Sequence, residues 1–259
     1  MDPHWQGVPP PVPPRSGPPP LPPPRPWDGW YTVLWGAVAI GVWMGVQGGL
    51  TILHLLISDR FDDARNFEAL MESLMMNEDL IGFITLAGAI VGCPVCYYLG
   101  KMRPGFTGAG YLALSRPKAG PFLLWLGVIV LIVLFFNLIA PVFVDEGDIM
   151  EVPTSKMPLL LIAGVVIGAP FVEEFIFRGF LWRGWSESPL GFVGTLFLTT
   201  VIFTGLHVLQ YDLFGLSVVF ALGLAMGIAR HLTGNLWIPI AMHALNNAIA
   251  TWEMLRLSN

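Results

Sequence analysis

Residues 170–179 read Pro-Phe-Val-Glu-Glu-Phe-Ile-Phe-Arg-Gly, and every other residue between Pro158 and Trp182 is apolar or glycine. In a membrane helix each ionised side chain costs roughly 2.5–3.5 kcal/mol, so charged residues there face a protein interior or a wet cavity. On a helix Glu174 and Arg178 are i,i+4 neighbours and can neutralise each other. Glu173 is rotated by about 100° from Glu174 and lacks that partner. The stretch therefore predicts a buried polar site.

The composition is that of a polytopic membrane protein. Of the 259 residues, 54% are hydrophobic and only 12% are charged, about half the charged fraction of a soluble domain. Several apolar runs reach the roughly 20 residues that cross a bilayer core. We therefore expect an all-α bundle in the cell membrane. The net charge of -5 argues against a nucleic-acid partner.

The chain divides into a tail and two helical parts. Residues 1–29 are predicted to form a disordered tail, because 13 of the 23 prolines lie there and such a segment cannot pack a core. Its Pro-Pro-Pro-Arg-Pro run is either a ligand for an aromatic groove in a partner or part of a flexible spacer. We expect N-terminal transmembrane helices in 30–156 and a catalytic core in 157–254. The seven predicted helices lie at about 30–57, 80–100, 120–144, 157–184, 190–210, 214–231 and 235–254.

Two smaller features lie in the N-terminal half. The polar segment 59–79 carries apolar residues at helical spacing (Phe67, Leu70, Met71, Leu74 and Met75), which predicts an amphipathic helix on the membrane surface. Cys93 and Cys96 spell a dithiol motif inside an apolar run. Such motifs belong near a soluble βαβ unit, so packing between helices is favoured, with lipidation of Cys96 as the alternative.

The positive residues between helices are unevenly distributed. Without Arg178, eight fall on the side of the tail and four on the other, where acidic residues dilute them. Positive loops remain in the cytoplasm, so we expect a cytoplasmic N-terminus and an external C-terminus. The eight are Arg15, Arg25, Lys101, Arg103, Arg116, Lys118, Arg183 and Arg230, and the four are Arg60, Arg65, Lys156 and Arg256.

Two histidines are candidates to complete the site. His207 and Glu173 are equally distant from residue 190, beside the turn signal of residues 186–189, so an antiparallel hairpin places them at one height. His243 and Asn247 share one face of the last predicted helix. The alternatives are a core histidine for His207 and a helix-packing asparagine for Asn247. His54 is expected to be structural and His231 interfacial.

These four residues suit hydrolysis of a peptide bond by water. A poorly hydrated carboxylate such as Glu173 can serve as a general base, and His207 can hold the water. His243 and Asn247 can stabilise the oxyanion. No serine nucleophile elbow and no HExxH motif competes with this interpretation.

At these residues the chain resembles the CaaX-protease and bacteriocin-processing (CPBP, or ABI) family, which includes the Ras-converting CaaX endopeptidase of eukaryotes. Its motifs are Glu-Glu-x-x-x-Arg, Phe-x-x-x-His and His-x-x-x-Asn/Asp. Here they read Glu173–Arg178, Phe203–His207 and His243–Asn247, within roughly residues 157–250. The resemblance implies an α-helical intramembrane endopeptidase with Glu173 as general base and a cytoplasm-facing cavity. Its substrate would be a peptide or a membrane protein.

The metal and the activity itself have alternatives. Family members are described either as metalloproteases or as glutamate-type proteases, and Glu173, His207 and His243 would form a His₂Glu zinc set. We favour no metal, because zinc bound to Glu173 would require Glu174 as base, and Glu174 is expected to face Arg178. The non-enzymatic alternative is a membrane scaffold or bacteriocin-immunity protein with a structural polar cluster.

Overall fold

The computed structural model describes residues 22–58, 70, 74, 77–143 and 157–257. Within these ranges every regular element is a helix, which confirms the predicted all-α fold class. The helices are α1 (Gly29–Ile57), α2 (Glu78–Lys101), α3 (Gly108–Leu112), α4 (Ala119–Phe143), α5 (Leu159–Ser186), α6 (Gly191–Gly205), α7 (Leu213–Thr233) and α8 (Trp237–Leu257). Tail residues 1–21 and most of the predicted amphipathic segment lie outside the described residues.

Each predicted apolar run corresponds to one helix in the described part of the chain. Not all of these helices are long and apolar enough to cross a membrane. Five qualify by length and composition, namely α1, α2, α4, α5 and α7. Helix α6 has only 15 residues, and α8 carries polar residues through its middle. The predicted count of seven is therefore approximate, and the chain is a multi-pass membrane protein.

Helix α5 is wider than an α-helix in two places. Its backbone is π-helical at Gly164–Gly168 and again at Phe175–Leu181. The α-helical turn Ala169–Glu174 lies between them and carries both glutamates. Single π-helical turns are rare and occur often at functional sites, since they re-aim side chains and free backbone carbonyls.

Helices α2 and α5 touch backbone to backbone. A Cβ added to Gly82 would collide with the main chain of Leu160 and Leu161, and one at Gly164 would lie 2.9 Å from the Gly82 carbonyl oxygen. Small residues allow such close approaches between membrane helices. This crossing fixes the distance between α5 and the wall formed by α2.

The bundle has two ends, which we call the tail end and the opposite end. At the tail end the Trp27 indole donates to the Leu99 carbonyl over 3.0 Å, so residues 22–28, which form no regular element, contact the end of α2. Asn235 donates to the Ser115 carbonyl at the same end over 2.6 Å. At the opposite end Asn137 donates to Glu253 over 2.9 Å. Successive long helices therefore alternate in direction, as predicted.

Candidate active site

A cavity of about 370 Å³ lies between the long helices. The structure brings all four predicted catalytic residues to its wall: Glu173 of α5, His207 just after α6, and His243 and Asn247 of α8. Further wall residues come from α1, α2, α4 and α7. The cavity is therefore a shared feature of the N-terminal and C-terminal halves.

Glu173 is the carboxylate of the cavity. Only 8% of the residue is exposed, and among the described residues its Oε2 atom has no hydrogen-bond partner. A buried carboxylate oxygen without a partner is costly. Such an atom is suited to accept a hydrogen bond from water or from a substrate.

Glu174 is neutralised instead. The Arg178 Nη1 atom donates to Glu174 Oε1 over 3.0 Å, and both side chains are fully buried. The second guanidinium nitrogen, Nη2, donates to the Gly223 carbonyl over 3.0 Å. The guanidinium also lies over the Phe203 ring, with Cζ 4.6 Å from the ring centroid. Two adjacent glutamates thus have different electrostatic environments, as their rotation on a helix predicts.

His243 connects the two glutamates. Its Nδ1 atom lies 3.1 Å from Glu174 Oε1, and its Nε2 atom lies 3.9 Å from Glu173 Oε2. Because Glu174 is paired with Arg178 it can only accept, so Nδ1 of His243 carries a proton and donates. The sequence did not reveal that Glu174 orients His243, because the two residues are 69 positions apart.

His207 and Phe203 form the second motif. His207 Nδ1 lies 2.8 Å from the Phe203 carbonyl oxygen, which requires a proton on Nδ1 and leaves Nε2 as an acceptor. The Phe203 ring lies 4.9 Å from the His207 ring and 5.7 Å from the His243 ring, measured between centroids. Phe203 therefore separates and supports the two imidazoles while it covers Arg178.

Asn247 is held by the first π-helical turn of α5. Its Nδ2 atom donates to the Val165 carbonyl over 2.9 Å, and its Oδ1 atom accepts from Asn246 over 3.1 Å. These contacts fix the orientation of the carboxamide. They use one of its two N–H groups, so the other can donate to a ligand.

The other histidines and the cysteines discussed from the sequence do not line the cavity. His231 stacks on Phe192 with ring centroids 4.0 Å apart, and His54 lies 3.5 Å from Asn77. Cys93 is half-buried and Cys96 buried, and both are free thiols. Sequence reasoning missed Arg230, whose Nε donates to the Arg178 carbonyl over 2.7 Å, because a cation near a helix end resembles an ordinary interfacial residue.

The three residues of the predicted zinc set are not grouped as metal ligands in the structure. Among the described residues no group of three His, Cys, Asp or Glu side chains is arranged to hold one. His207 Nδ1 is occupied by its bond to the Phe203 carbonyl oxygen, 2.8 Å away. Catalysis without a metal remains a prediction.

The cavity lies in the half of the bundle next to the opposite end. Its wall includes Gln210 and Tyr211 from the connection between α6 and α7, and Ile81 from the first turn of α2. The charge distribution, in contrast, predicts that the tail end is cytoplasmic. The cavity wall therefore lies nearer the end that the charge distribution predicts to be external, whereas the family resemblance implies a cytoplasm-facing cavity.

Residues 155–249 match the family model described as type II CAAX prenyl endopeptidase Rce1-like. The match contains all three motifs and confirms the resemblance to the CPBP family at the family level. Helices α1 to α4 lie outside the matched residues. Comparisons with curated proteins and with solved structures give no match.

Proposed function

We propose that this protein is an intramembrane endopeptidase of the CAAX type in which Glu173 activates the attacking water. The substrate is a peptide or membrane-anchored protein, cleaved near its C-terminus or at the membrane boundary. One observation carries the proposal: Glu173 lines the cavity with a carboxylate oxygen that has no partner among the described residues, while its neighbour Glu174 does not line the cavity and is paired with Arg178.

The water binds between Glu173 and His243. Their facing atoms, Oε2 and Nε2, are 3.9 Å apart, too far for a direct hydrogen bond but within reach of one water that contacts both. His207, held by the Phe203 carbonyl, presents its Nε2 as a further acceptor. The carboxylate is the strongest acceptor of this group and takes the proton.

The reaction then proceeds by addition and elimination. Glu173 removes a proton from water, and the hydroxide oxygen forms a bond to the carbonyl carbon of the scissile peptide. The carbonyl oxygen becomes an oxyanion, which accepts a hydrogen bond from the free N–H of Asn247. Protonated Glu173 returns its proton to the leaving amine as the C–N bond breaks.

His243 assists the oxyanion when both of its ring nitrogens carry a proton. Nδ1 then donates to Glu174, and Nε2 donates into the cavity. Glu174 acts on the reaction through His243 and is a positioning residue.

The test uses purified protein in lipid nanodiscs and quenched fluorescent peptides that end in a CAAX sequence, with and without a farnesyl group. We expect cleavage by the unmodified protein and a loss of at least about 100-fold for Glu173→Gln, the usual contribution of a general base. Glu187→Gln is the matched control, because Glu187 is an exposed glutamate at the end of the same helix, 3.1 Å from Arg183.

Metal analysis accompanies the same assay. We expect activity in protein without stoichiometric zinc and no loss to a chelator. Zinc that restores a chelated enzyme would contradict the metal-free mechanism but not the protease assignment. Equal cleavage by Glu173→Gln and Glu187→Gln, or no cleavage of any peptide, would favour the scaffold or immunity function.

A further inference from the structure

Helix α1 contributes polar groups to the cavity, although it lies outside the family-matched residues 155–249. Trp43 and Gln47 both line the cavity, and they are i,i+4 neighbours on one face of the helix. Neither residue has a role in the reaction described above.

The Trp43 indole N–H is a hydrogen-bond donor without an acceptor among the described residues. The residue is only 7% exposed, and its Nε1 atom is buried without a hydrogen-bond partner in the part of the chain that the structure describes. An unpaired buried donor costs about 1–3 kcal/mol, so native structures keep few of them, and each one calls for a reason. Binding of a ligand acceptor at the cavity wall is such a reason.

Gly88 of α2 brings this donor and the Gln47 carboxamide together. A Cβ at Gly88 would lie 3.1 Å from Trp43 Nε1 and 3.0 Å from Gln47 Nε2. The glycine therefore leaves space where both nitrogens approach the same point of α2. Together the Trp43 indole and the Gln47 carboxamide offer N–H donors, and the carboxamide oxygen of Gln47 offers an acceptor.

The chemistry of this pair fits a peptide unit. A substrate segment must be extended around the scissile bond before hydrolysis, so its backbone N–H and C=O groups lose their helical partners. Inside a membrane each of these groups needs a replacement partner. A phosphate or carboxylate would require a cation, and none of the cavity-lining residues in the described ranges is Lys or Arg. A neutral amide is the ligand that these groups match.

We propose that Trp43 and Gln47 form a subsite that binds a backbone amide of the extended substrate next to the scissile bond. The indole donates to a substrate carbonyl, and the Gln47 carboxamide pairs with the same strand. This inference rests on the proposed peptidase function and adds residues of α1 to the substrate site.

The chain provides a matched control on the same helix. Trp35 also has a buried indole nitrogen without a partner among the described residues, but it does not line the cavity; it packs against Trp27 with ring centroids 6.1 Å apart. Trp43→Phe and Trp35→Phe therefore make the same chemical change at cavity and non-cavity positions.

The experiment measures binding of a fluorescein-labelled farnesylated CAAX peptide by anisotropy in nanodiscs, in the Glu173→Gln background, which prevents turnover. We expect Trp43→Phe to weaken binding about tenfold, the typical effect of one buried hydrogen bond, and Trp35→Phe to leave it unchanged. Gln47→Leu should weaken binding in the same direction. In the active background the Trp43→Phe effect should appear mainly in KM.

Replacement of peptide amides by esters, one at a time, adds a second readout. An ester carbonyl is a weaker acceptor, so at the bound position it should reduce the difference in affinity between the protein that keeps Trp43 and the Trp43→Phe variant. Equal affinities for Trp43→Phe and Trp35→Phe, or no peptide binding at all, would overturn the subsite. Binding that depends on Trp43 in a protein that cleaves nothing would instead refute the proposed function and leave the subsite standing.

Discussion

Glu173 and Glu174 are adjacent in the sequence, yet in the described part of the chain Arg178 pairs with Glu174 and not with Glu173. Glu174 receives hydrogen bonds from Arg178 over 3.0 Å and from His243 over 3.1 Å. Glu173 lines the cavity, and its Oε2 atom has no hydrogen-bond partner within the described ranges. One helical turn thus carries a structural carboxylate and a reactive one, and the difference comes from their rotation about the axis of α5.

Substitution of each glutamate by glutamine should therefore separate effects on stability from effects on activity. Glu174→Gln leaves the buried Arg178 charge without its counter-ion, which typically costs about 3–5 kcal/mol, and it releases His243. We expect a lower thermal unfolding temperature in nanodiscs together with lower activity. Glu173→Gln should abolish activity without lowering that temperature.

A double variant provides the control. Glu174→Gln combined with Arg178→Met removes both charges of the pair, so the unfolding temperature should recover, since apolar replacements of buried ion pairs are often neutral or stabilising. Activity should stay low because His243 has lost its partner. Equal unfolding temperatures for Glu173→Gln and Glu174→Gln would contradict the structural role of Glu174.

At the scale of elements, the crossing of α2 and α5 sets the width of the cavity. Gly82 and Gly164 allow the two backbones to touch, while Thr85 of α2 and Glu173 of α5 line the cavity close by. We predict that Gly82→Ala forces the helices apart and destabilises the fold by at least about 1–3 kcal/mol, the usual range for overpacking. Activity should fall with it.

Gly41→Ala is the matched control, because a Cβ at Gly41 meets nothing within 4 Å. Alanine in a helix interior is favoured over glycine by roughly 0.5–1 kcal/mol, so this variant should be as stable as the unmodified protein or slightly more so. Thermal unfolding of both variants in nanodiscs measures the difference. A Gly82→Ala protein as stable as Gly41→Ala would show that the crossing is not tight.

At the scale of the whole molecule, the distribution of charge and the position of the cavity together predict on which side of the membrane the cavity lies. The tail end carries the larger number of positive residues, whereas the cavity lies next to the opposite end. By the positive-inside rule we expect a cytoplasmic tail end, with the cavity in the external half of the membrane. The substrate would then reach Glu173 from that side or from within the bilayer.

Labelling of single cysteines in intact cells tests the orientation, in a background without Cys93 and Cys96. An impermeant maleimide should modify Leu209→Cys, which is 92% exposed at the opposite end, and Asp148→Cys. It should modify Arg116→Cys only after permeabilisation. The reverse pattern would place the cavity on the cytoplasmic side, and labelling of positions 116 and 209 from one side would contradict the two ends of the bundle.

The sequence by itself determined the membrane class, the helices and the candidate site residues. Apolar runs of about 20 residues and the scarcity of charge are local properties, and the spacing of Glu174 and Arg178 specifies their pairing on any helix. The prediction that Glu173 and His207 share a site follows from their equal distances to one turn, and both residues line the cavity. These features need only helix geometry and neighbouring residues.

Only the tertiary structure decided how distant segments share the site. The bond of His243 to Glu174, the bond of Asn247 to the Val165 carbonyl and the approach of Trp43 to Gly88 join residues far apart in the chain. None of these residues has a sequence pattern that names its partner, because a partner is selected by packing and not by periodicity. The place of the cavity near the opposite end has the same origin, since it depends on how all the long helices pack together.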